Sequence, residues 1–319
     1  MKKLIVLATL AALPAAAMAD VVISGNLAVG ITNTKVEGVG SVTTEDRTSG
    51  EIKFAGTEDL GNGLKSIWQI ASRINLSDNQ DNARDNTWSG RDSFVGLQGG
   101  FGTVTLGNIY HMPTSGAMAI FEDNSATFAS DIYDQGNRVN STISYKSPSV
   151  AGFTAVVQHS FGSNTANEVL KNHQQALSLA YEGDGFKVSY DHSRVKEGAD
   201  AKVRLHELNA EVSLDALTVI AGAAQGKYTE PGVSGKVNGY GVAASYAMGN
   251  LTPKVGFWRE GDAKVNGDSF NTGHKAYAAG VEYALSKRTR AGVELAKANY
   301  DDNAIPDVRT ATVYLGTKF

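Results

Sequence analysis

From residue 20 onward, apolar and polar residues alternate with a period of two, the pattern of β-strands that have one apolar and one polar face. In the first such segment Val29 and Ile31 share one face, and Thr32 and Thr34 share the other. Similar segments recur to the end of the chain, about sixteen in all, and none carries a long stripe with a 3.6-residue period. The pattern predicts an all-β protein.

The connections between these segments are of two kinds, which alternate along the chain. Short ones are rich in turn residues, as at 58–63 and 99–102. Long ones are polar and are expected at 35–47, 77–91, 108–137, 162–171, 228–237 and 260–273. A water-soluble sandwich has no reason to sort its loops by length, whereas an outer-membrane barrel has short periplasmic turns and long external loops.

Aromatic residues favour the barrel over the sandwich. A sandwich would place them at mid-strand in a large core, but here they cluster at the turn ends of the segments, as an interfacial girdle does. They are Tyr145, Phe153, Tyr181, Phe186, Tyr246, Tyr283 and Phe319. The sequence therefore predicts a 16-stranded antiparallel transmembrane β-barrel, whose polar inner face lines a water-filled lumen.

The first nineteen residues have the three parts of a secretory signal peptide. Lys2 and Lys3 form a positive start, an apolar stretch follows over 4–13, and 17–19 read Ala-Met-Ala. Cleavage between Ala19 and Asp20 would leave a barrel domain over 20–319. The alternative is an N-terminal core helix or anchor that is retained.

Composition excludes several classes of protein. The chain has no cysteine, hence no disulfide framework and no cysteine-based metal site. A formal net charge of −4 gives no indication of a nucleic-acid partner. The mean hydropathy of −0.21 is too low for a bundle of membrane helices.

Two stretches resemble hairpins of Gram-negative general porins of the neisserial and β-proteobacterial type: GTEDLGNGLKSIWQ at 56–69 and SFVGLQGGFGTV at 93–104. Shorter matches follow at 144–148, 151–153, 283–289 and 316–319. The resemblance implies a homotrimer of barrels in the outer membrane, each a passive channel for ions and small hydrophilic solutes. It also implies contact with outer-membrane lipid and lipopolysaccharide, and makes Phe319 the signal for the barrel-assembly machinery.

In that family the third external loop folds inward and narrows the pore, and here this loop would be about 108–137. It carries Glu122, Asp123 and Asp131 and no Lys or Arg, and its segment 118–121 is apolar enough to pack on the inner wall. The alternative is an ordinary surface loop, although connections this long are usually functional or disordered.

Basic residues are expected on the wall facing that loop. Alternation points Lys53, Arg73 and Arg138 into the lumen, where opposed charges would orient polar solutes and set ion preference. Each of them could instead form a structural ion pair. Relatives often carry Arg or Lys near the positions of Thr105 and Asn108, so the loss of those cations favours a weak preference for cations.

No catalytic or metal-binding pattern emerges, and no cofactor is expected. The six histidines lie on separate segments, and the adjacent His206 and Glu207 would point to opposite faces of a strand. His159 and His192 have the lipid-facing parity near strand ends. Two alternatives to the porin stay open. One is a barrel enzyme with an active site at the rim, for which the only candidate residues that share a loop are His111 and Ser115. The other is a substrate-selective channel, which would need a row of aromatic residues along the lumen, and here the inward aromatics are only Trp258 and Tyr314.

Overall fold

The computed structural model describes residues 21–45, 49–76, 88–110, 120–121, 138–161, 173–197 and 200–319. Within them the chain forms one antiparallel sheet of nineteen strands. They are β1 (Val22–Val36), β2 (Gly40–Glu45), β3 (Ser49–Gly61), β4 (Leu64–Asn75), β5 (Ser93–Gly99), β6 (Gly102–Tyr110), β7 (Arg138–Lys146), β8 (Phe153–Ser160), β9 (Gln174–Gly183), β10 (Phe186–Glu197), β11 (Ala201–Leu214), β12 (Leu217–Glu230), β13 (Val233–Tyr246), β14 (Leu251–Glu260), β15 (Lys264–Val265), β16 (Asp268–Ser269), β17 (His274–Ala284), β18 (Thr289–Tyr300) and β19 (Val308–Lys318).

The sheet closes on itself through its first and last strands. β1 pairs with β19 from Asn26 opposite Lys318 to Val36 opposite Val308. β2 and β3 pair with successive parts of β1 and together act as one wall strand, and the hairpin β15–β16 lies in the connection between β14 and β17. The wall therefore has sixteen strands, and the predicted 16-stranded antiparallel barrel is confirmed.

The two faces of the wall differ as the alternation predicts. On β19 the side chains of Val313 and Leu315 are 58% and 46% exposed on the outer face, whereas Thr312 is fully buried inside. The Thr312 hydroxyl forms a hydrogen bond of 2.8 Å with the hydroxyl of Thr32 across the closing seam. Closure pairs the backbone groups of every wall strand, which is what a bilayer without water demands.

Connections at one end of the barrel are short, with two residues at 62–63 and at 184–185 and six at 147–152. The other end carries the longer connections, including 111–137 and 261–273. Two expectations for that end are wrong. Residues 228–237 are mostly strand, because β12 and β13 continue to a turn at Pro231 and Gly232, and 35–47 is largely taken up by β1 and β2.

The aromatic girdle lies at the periplasmic end, on the outer face. Phe153 is 61% exposed there, Phe186 42% and Tyr246 49%. The ring of Tyr181 packs between those of Phe153 and Phe186, with centroid distances of 4.6 and 5.4 Å. Such rings combine an apolar body with a polar edge and are typical of the membrane–water boundary.

No α-helix of the length and apolarity required to span a bilayer occurs in the described residues. The expected signal peptide over 1–19, with its cleavage point at Ala19 and Asp20, lies outside these residues.

Candidate functional site in the lumen

A segment of the long connection between β6 and β7 packs on the inner wall of the barrel. Phe121 is 8% exposed and contacts three alanines, and Ile120 packs against the same cluster. The alanines face inward from β13, β17 and β18 and are Ala243, Ala278 and Ala296. Because these side chains are small, the wall leaves room for the segment, as expected for Ile120 and Phe121.

An ion pair lies beside this contact. Lys254 Nζ is 2.5 Å from Glu294 Oε1, and the two side chains are 4% and 0% exposed. Gly280 stands between them in the register, and a Cβ there would lie 2.9 Å from Glu294 Cγ and 3.3 Å from Lys254 Cε. The missing side chain at position 280 thus allows the pair to form across a strand.

The same lysine holds the inserted segment. Its Nζ donates a hydrogen bond of 2.8 Å to the backbone carbonyl of Ile120 and lies 5.4 Å from the centre of the Phe121 ring. It also lies 3.4 Å from the hydroxyl of Tyr314. Lys254 therefore joins an acidic wall residue, an aromatic wall residue and the backbone of the inserted segment.

The network extends toward the periplasmic end. The hydroxyl of Tyr314 donates a hydrogen bond of 3.0 Å to Glu282 Oε2, and Arg290 Nη1 is 3.5 Å from the same oxygen. Together with Lys254 and Glu294 these residues contribute two positive and two negative charges. This side of the lumen is therefore charged but locally neutral.

A second charged region lies on β3 and β4. Lys53 stands in register with Ser24 and with the fully buried Ala71, which puts it on the inner face as the alternation predicts. Glu51 faces Arg73 in the register, lies 3.4 Å from Lys53 Nζ, and is 3.9 Å from Arg91 Nε. Three cations thus surround one carboxylate, and this side of the lumen is basic.

A third region is acidic. Asp191 on β10 stands directly opposite Glu207 on β11, and the two residues are 0% and 1% exposed. Ser189 Oγ donates a hydrogen bond of 3.1 Å to Asp191 Oδ2. Both oxygens of Glu207, and both polar side-chain atoms of the nearby Asn209, have no hydrogen-bond partner among the described residues. Sequence reasoning missed this pair, although the alternation assigns both residues to the inner face.

The basic and acidic regions lie on opposite sides of the lumen. Around the ring of sixteen, β3 and β4 are the second and third wall strands, and β10 and β11 are the ninth and tenth. Lys53 and Arg73 lie nine and ten residues from the nearest periplasmic turn, and Asp191 and Glu207 lie six and eight. The charges are therefore separated across the channel near mid-depth.

Four of the six residues expected at the constriction lie wholly or partly outside the described residues. Glu122, Asp123 and Asp131 are not described, and of Arg138 only the backbone is. The pairing of β6 with β7 shifts register between Gly107 and Ile109. On β7, Ser141 has a positive φ of 55°, as in a β-bulge. The alternation of faces therefore cannot be counted through this bulge to Arg138. Asn108 belongs to β6, so the connection begins later than expected.

An ion pair joins two neighbouring parts of the external rim. Arg259, at the end of β14, forms a hydrogen-bonded ion pair with Asp301 in the connection between β18 and β19. The hydrogen bond from Arg259 holds the pKa of Asp301 below its usual value of 3.8. The side chain of Asn271, in the connection between β14 and β17, donates a hydrogen bond of 2.8 Å to the backbone carbonyl of Asp301. This bond and the ion pair both join the β14–β17 region to the connection between β18 and β19.

The described residues contain no group of three His, Asp or Glu side chains that could hold a metal ion. His206 faces outward and Glu207 inward, as predicted, and His192 also lies on the outer face. His111 and Ser115, the pair considered for a rim enzyme, lie outside the described residues.

The sequence of this chain is similar to those of known proteins. A family model described as Gram-negative porin matches residues 5–303. The chain is 31% identical to a major outer membrane protein P.IB of Neisseria lactamica, with 100% of both chains covered. It is 29% identical to the P.IB protein of Neisseria meningitidis serogroup B, with 91% of each chain covered.

Solved structures share the fold at lower identity. An anion-selective porin from Comamonas acidovorans superposes with a TM-score of 0.77 at 20% identity, covering 94% of this chain and 100% of the other. The trimer form of OmpT, an outer membrane protein of Vibrio cholerae, gives a TM-score of 0.72 at 11% identity, with 94% and 99% covered.

Proposed function

Because this chain belongs to the Gram-negative porin family, we propose that its lumen is narrowed by the connection between β6 and β7 and weakly prefers cations. The protein is an outer-membrane porin that forms a water-filled channel for the passive diffusion of ions and small hydrophilic solutes. The constriction and the sign of its charge preference are the parts proposed.

One observation carries the constriction. Ile120 and Phe121 lie in sequence between the fifth and sixth wall strands, yet they pack on the wall formed by β13, β17 and β18, about half the ring away. The Ile120–Phe121 segment therefore lies in the lumen, far from the two strands that flank it in sequence. Water and solutes have to move around it.

The charge preference follows from the residues around that obstruction. Asp191 and Glu207 supply an acidic wall, and the connection adds Glu122, Asp123 and Asp131 with no compensating Lys or Arg between residues 108 and 137. Lys53, Arg73 and Arg138 are the proposed basic counterpart. The Comamonas porin, which shares the fold, is described as anion-selective, and we attribute the opposite sign proposed here to the lumen side chains.

The partners of the porin and the removal of residues 1–19 are also proposals, based on its membership of this family. The porin would form a homotrimer, as the trimer form of the Vibrio protein does, and would contact outer-membrane lipid and lipopolysaccharide. Phe319 would be recognised by the barrel-assembly machinery, and residues 1–19 would be removed on export. No enzymatic activity is proposed.

The test is conduction in a planar bilayer. Porin purified from outer membranes should give stable current steps, in groups of three for a trimer, and a small reversal potential of the cation-preferring sign in a salt gradient. An anion-preferring sign would refute the charge assignment and leave the porin intact. A folded barrel that gives no current would refute the open channel and return attention to a rim enzyme.

A further inference from the structure

The acidic pair of the lumen, Asp191 and Glu207, is buried without a counter-charge. The two residues are directly opposite one another on β10 and β11, so their Cβ atoms are about 5 Å apart, and they are 0% and 1% exposed. Among the residues that the structure describes, no Lys or Arg forms an ion pair with either carboxylate. Like charges in such positions repel, and buried charges in proteins are normally paired or coordinate a metal. A cation from outside the chain would balance them.

The lysine on the inner face of β10 does not supply that cation. Lys187 lies four residues before Asp191, which is about 13 Å along the strand. It stands in register with Glu182 on β9 and Glu211 on β11, so two carboxylates already flank it. Together with the acidic pair, these side chains contribute four negative charges and one positive charge. This part of the inner wall therefore has three negative charges in excess.

Four buried oxygen atoms at the pair accept no hydrogen bond from the described residues. They are Asp191 Oδ1, Glu207 Oε1 and Oε2, and Asn209 Oδ1. Asn209 is 6% exposed, shares the inner face of β11 and lies beside the Glu207 carboxylate without a hydrogen bond to it. A buried amide without partners costs free energy unless a water or an ion takes their place. An amide and two carboxylates are therefore available to one ligand.

The surroundings orient these oxygens and leave room for an ion. Ser189 Oγ donates a hydrogen bond of 3.1 Å to Asp191 Oδ2, which holds the carboxylate and leaves its other oxygen free. On β12 the residues opposite the two ligands of β11 are Ala224 and Gly222, so no large side chain fills that side. On the external side lies Leu205, which is 1% exposed within an apolar cluster. Apolar surroundings strengthen the attraction between a carboxylate and a cation.

The opposite side of the lumen shows what the protein does where it provides its own cation. Glu294 is as buried as the acidic pair, but Lys254 Nζ lies 2.5 Å from its Oε1. The structure places no lysine in the corresponding position beside Asp191 or Glu207 among the residues it describes. The two walls thus differ in the source of the positive charge.

We propose that Asp191, Glu207 and Asn209 bind a calcium ion in the lumen. Calcium takes about six to eight oxygen ligands in flexible geometry, of which the protein supplies four here and the water of the lumen the rest. Magnesium requires near-ideal octahedral geometry and gives up its water reluctantly, so it fits this set less well. The inference deepens the channel function proposed above, because a bound divalent ion cancels the contribution of the pair to cation preference.

Calcium binding is measured by isothermal titration calorimetry. Full-length porin is purified from outer membranes in a mild detergent, freed of lipopolysaccharide, treated with a chelator and titrated with calcium chloride. One test variant combines Asp191→Asn with Glu207→Gln, and a second, Asn209→Ala, removes a ligand without changing the charge. The control variant combines Glu58→Gln with Asp268→Asn, which removes two charges from exposed positions. Heat-modifiable mobility on gels verifies that every variant is folded.

The wild type should bind one calcium ion per chain with a dissociation constant of about 10⁻⁴–10⁻³ M, as weak extracellular calcium modules do. The double variant Asp191→Asn with Glu207→Gln should lose saturable binding. Asn209→Ala should lose at least about tenfold in affinity, a loss seen even for outer-shell partners of a metal. The control should bind like the wild type. Equal losses in the control, or unchanged binding in the double variant, would overturn the site. A wild type without saturable binding would also overturn it and leave a shared proton as the explanation of the pair.

Reversal potentials in a potassium chloride gradient distinguish this inference from the proposed function. Added calcium should lower the cation-to-anion permeability ratio of the wild type to the value that the double variant shows in chelator. The double variant should not respond to calcium. Saturable calcium binding by a channel without cation preference would refute the charge assignment and leave the site standing. Cation preference without calcium binding would refute the site and leave the charge assignment standing.

Discussion

Lys254 and Glu294 form a buried ion pair on the inner wall of the barrel, with 2.5 Å between Nζ and Oε1 and only Gly280 between them in the sheet. A buried pair of this kind often adds little to stability, because desolvation of the two charges offsets their attraction. Its function here is positional, since Lys254 also holds the carbonyl of Ile120. The pair therefore links the wall of the channel to the Ile120–Phe121 segment, which we propose belongs to the constriction.

Replacing the lysine should release that segment. Lys254→Met removes the hydrogen bond to Ile120 and leaves Glu294 buried without its partner, which costs about 3–5 kcal/mol of folding free energy. We expect a lower temperature for the heat-induced mobility shift on gels, together with larger and noisier single-channel currents. The control Lys275→Gln changes an exposed lysine of β17 and should alter neither property.

A double variant separates anchoring from stability. Lys254→Met with Glu294→Leu removes both charges and should recover most of the lost thermal stability, because no unpaired charge remains buried. The currents should stay noisy, since the contact with the Ile120 carbonyl is still missing. If the double variant restores quiet wild-type currents, Lys254 is not the anchor.

The acidic pair on β10 and β11 should contribute to cation preference. In Asp191→Asn with Glu207→Gln, we expect the cation-to-anion permeability ratio to fall by roughly two- to fourfold, since a charge about 10 Å from an ion in water contributes about 0.4 kcal/mol. Reversal potentials in dilute salt measure this ratio with little screening. Glu58→Gln, at an exposed position near the periplasmic end of β3, is the control and should leave the ratio unchanged.

The last residue should matter for assembly more than for the finished barrel. Phe319 and Gly25 exchange two backbone hydrogen bonds of 3.0 Å, which the variant Phe319→Ala retains. We therefore expect purified, unfolded Phe319→Ala protein to refold into detergent with a wild-type yield, while its amount in the outer membrane of expressing cells falls severalfold. An equal defect in both assays would make the ring of Phe319 a structural element and not a targeting signal.

The stability contributed by the ion pair between Arg259 and Asp301 at the rim should change with pH only in the acid range. Because the pKa of Asp301 is lowered in the folded protein, its contribution to stability is complete above about 3.8 and is lost as the pH falls through the lowered value. Asp301→Asn should therefore be less heat-resistant than the wild type at pH 7, and the two proteins should converge below that value. A difference that does not shrink at all as the pH is lowered below 3.8 would exclude this ionic contact as its cause.

The strands of the barrel wall and the faces of their side chains could be predicted from the sequence, because in each strand successive side chains alternate between the two faces. In β19, the alternation of Thr312, Val313 and Tyr314 assigns a face to every side chain without knowledge of its neighbours. The same rule placed Lys53 and Arg73 on the inner face. It cannot be carried through to Arg138, because the bulge at Ser141 interrupts the alternation and no local sequence signal marks it, so the inward orientation of Arg138 stays a prediction.

Contacts that depend on distant parts of the chain could not be predicted in this way. The partnership of Lys254 with Glu294 depends on Gly280 being in register with both, and the pairing of Asp191 with Glu207 depends on where β10 turns into β11. Turn positions also misled the loop assignment. Residues 228–237 are polar enough for a loop, but all of them except the turn residues Pro231 and Gly232 have a cross-strand partner and continue the strands.

The seat of Ile120 and Phe121 has a mechanical consequence. A ring of strands joined only edge to edge resists stretching well but resists flattening poorly, because no bond crosses its open centre. The connection after β6 includes Ile120 and Phe121, which are fastened on β13, β14, β17 and β18, so it couples two opposite sides of the ring. The connection that we propose narrows the lumen thus also acts as a tie beam, which keeps the cross-section of the barrel open against lateral pressure from the membrane.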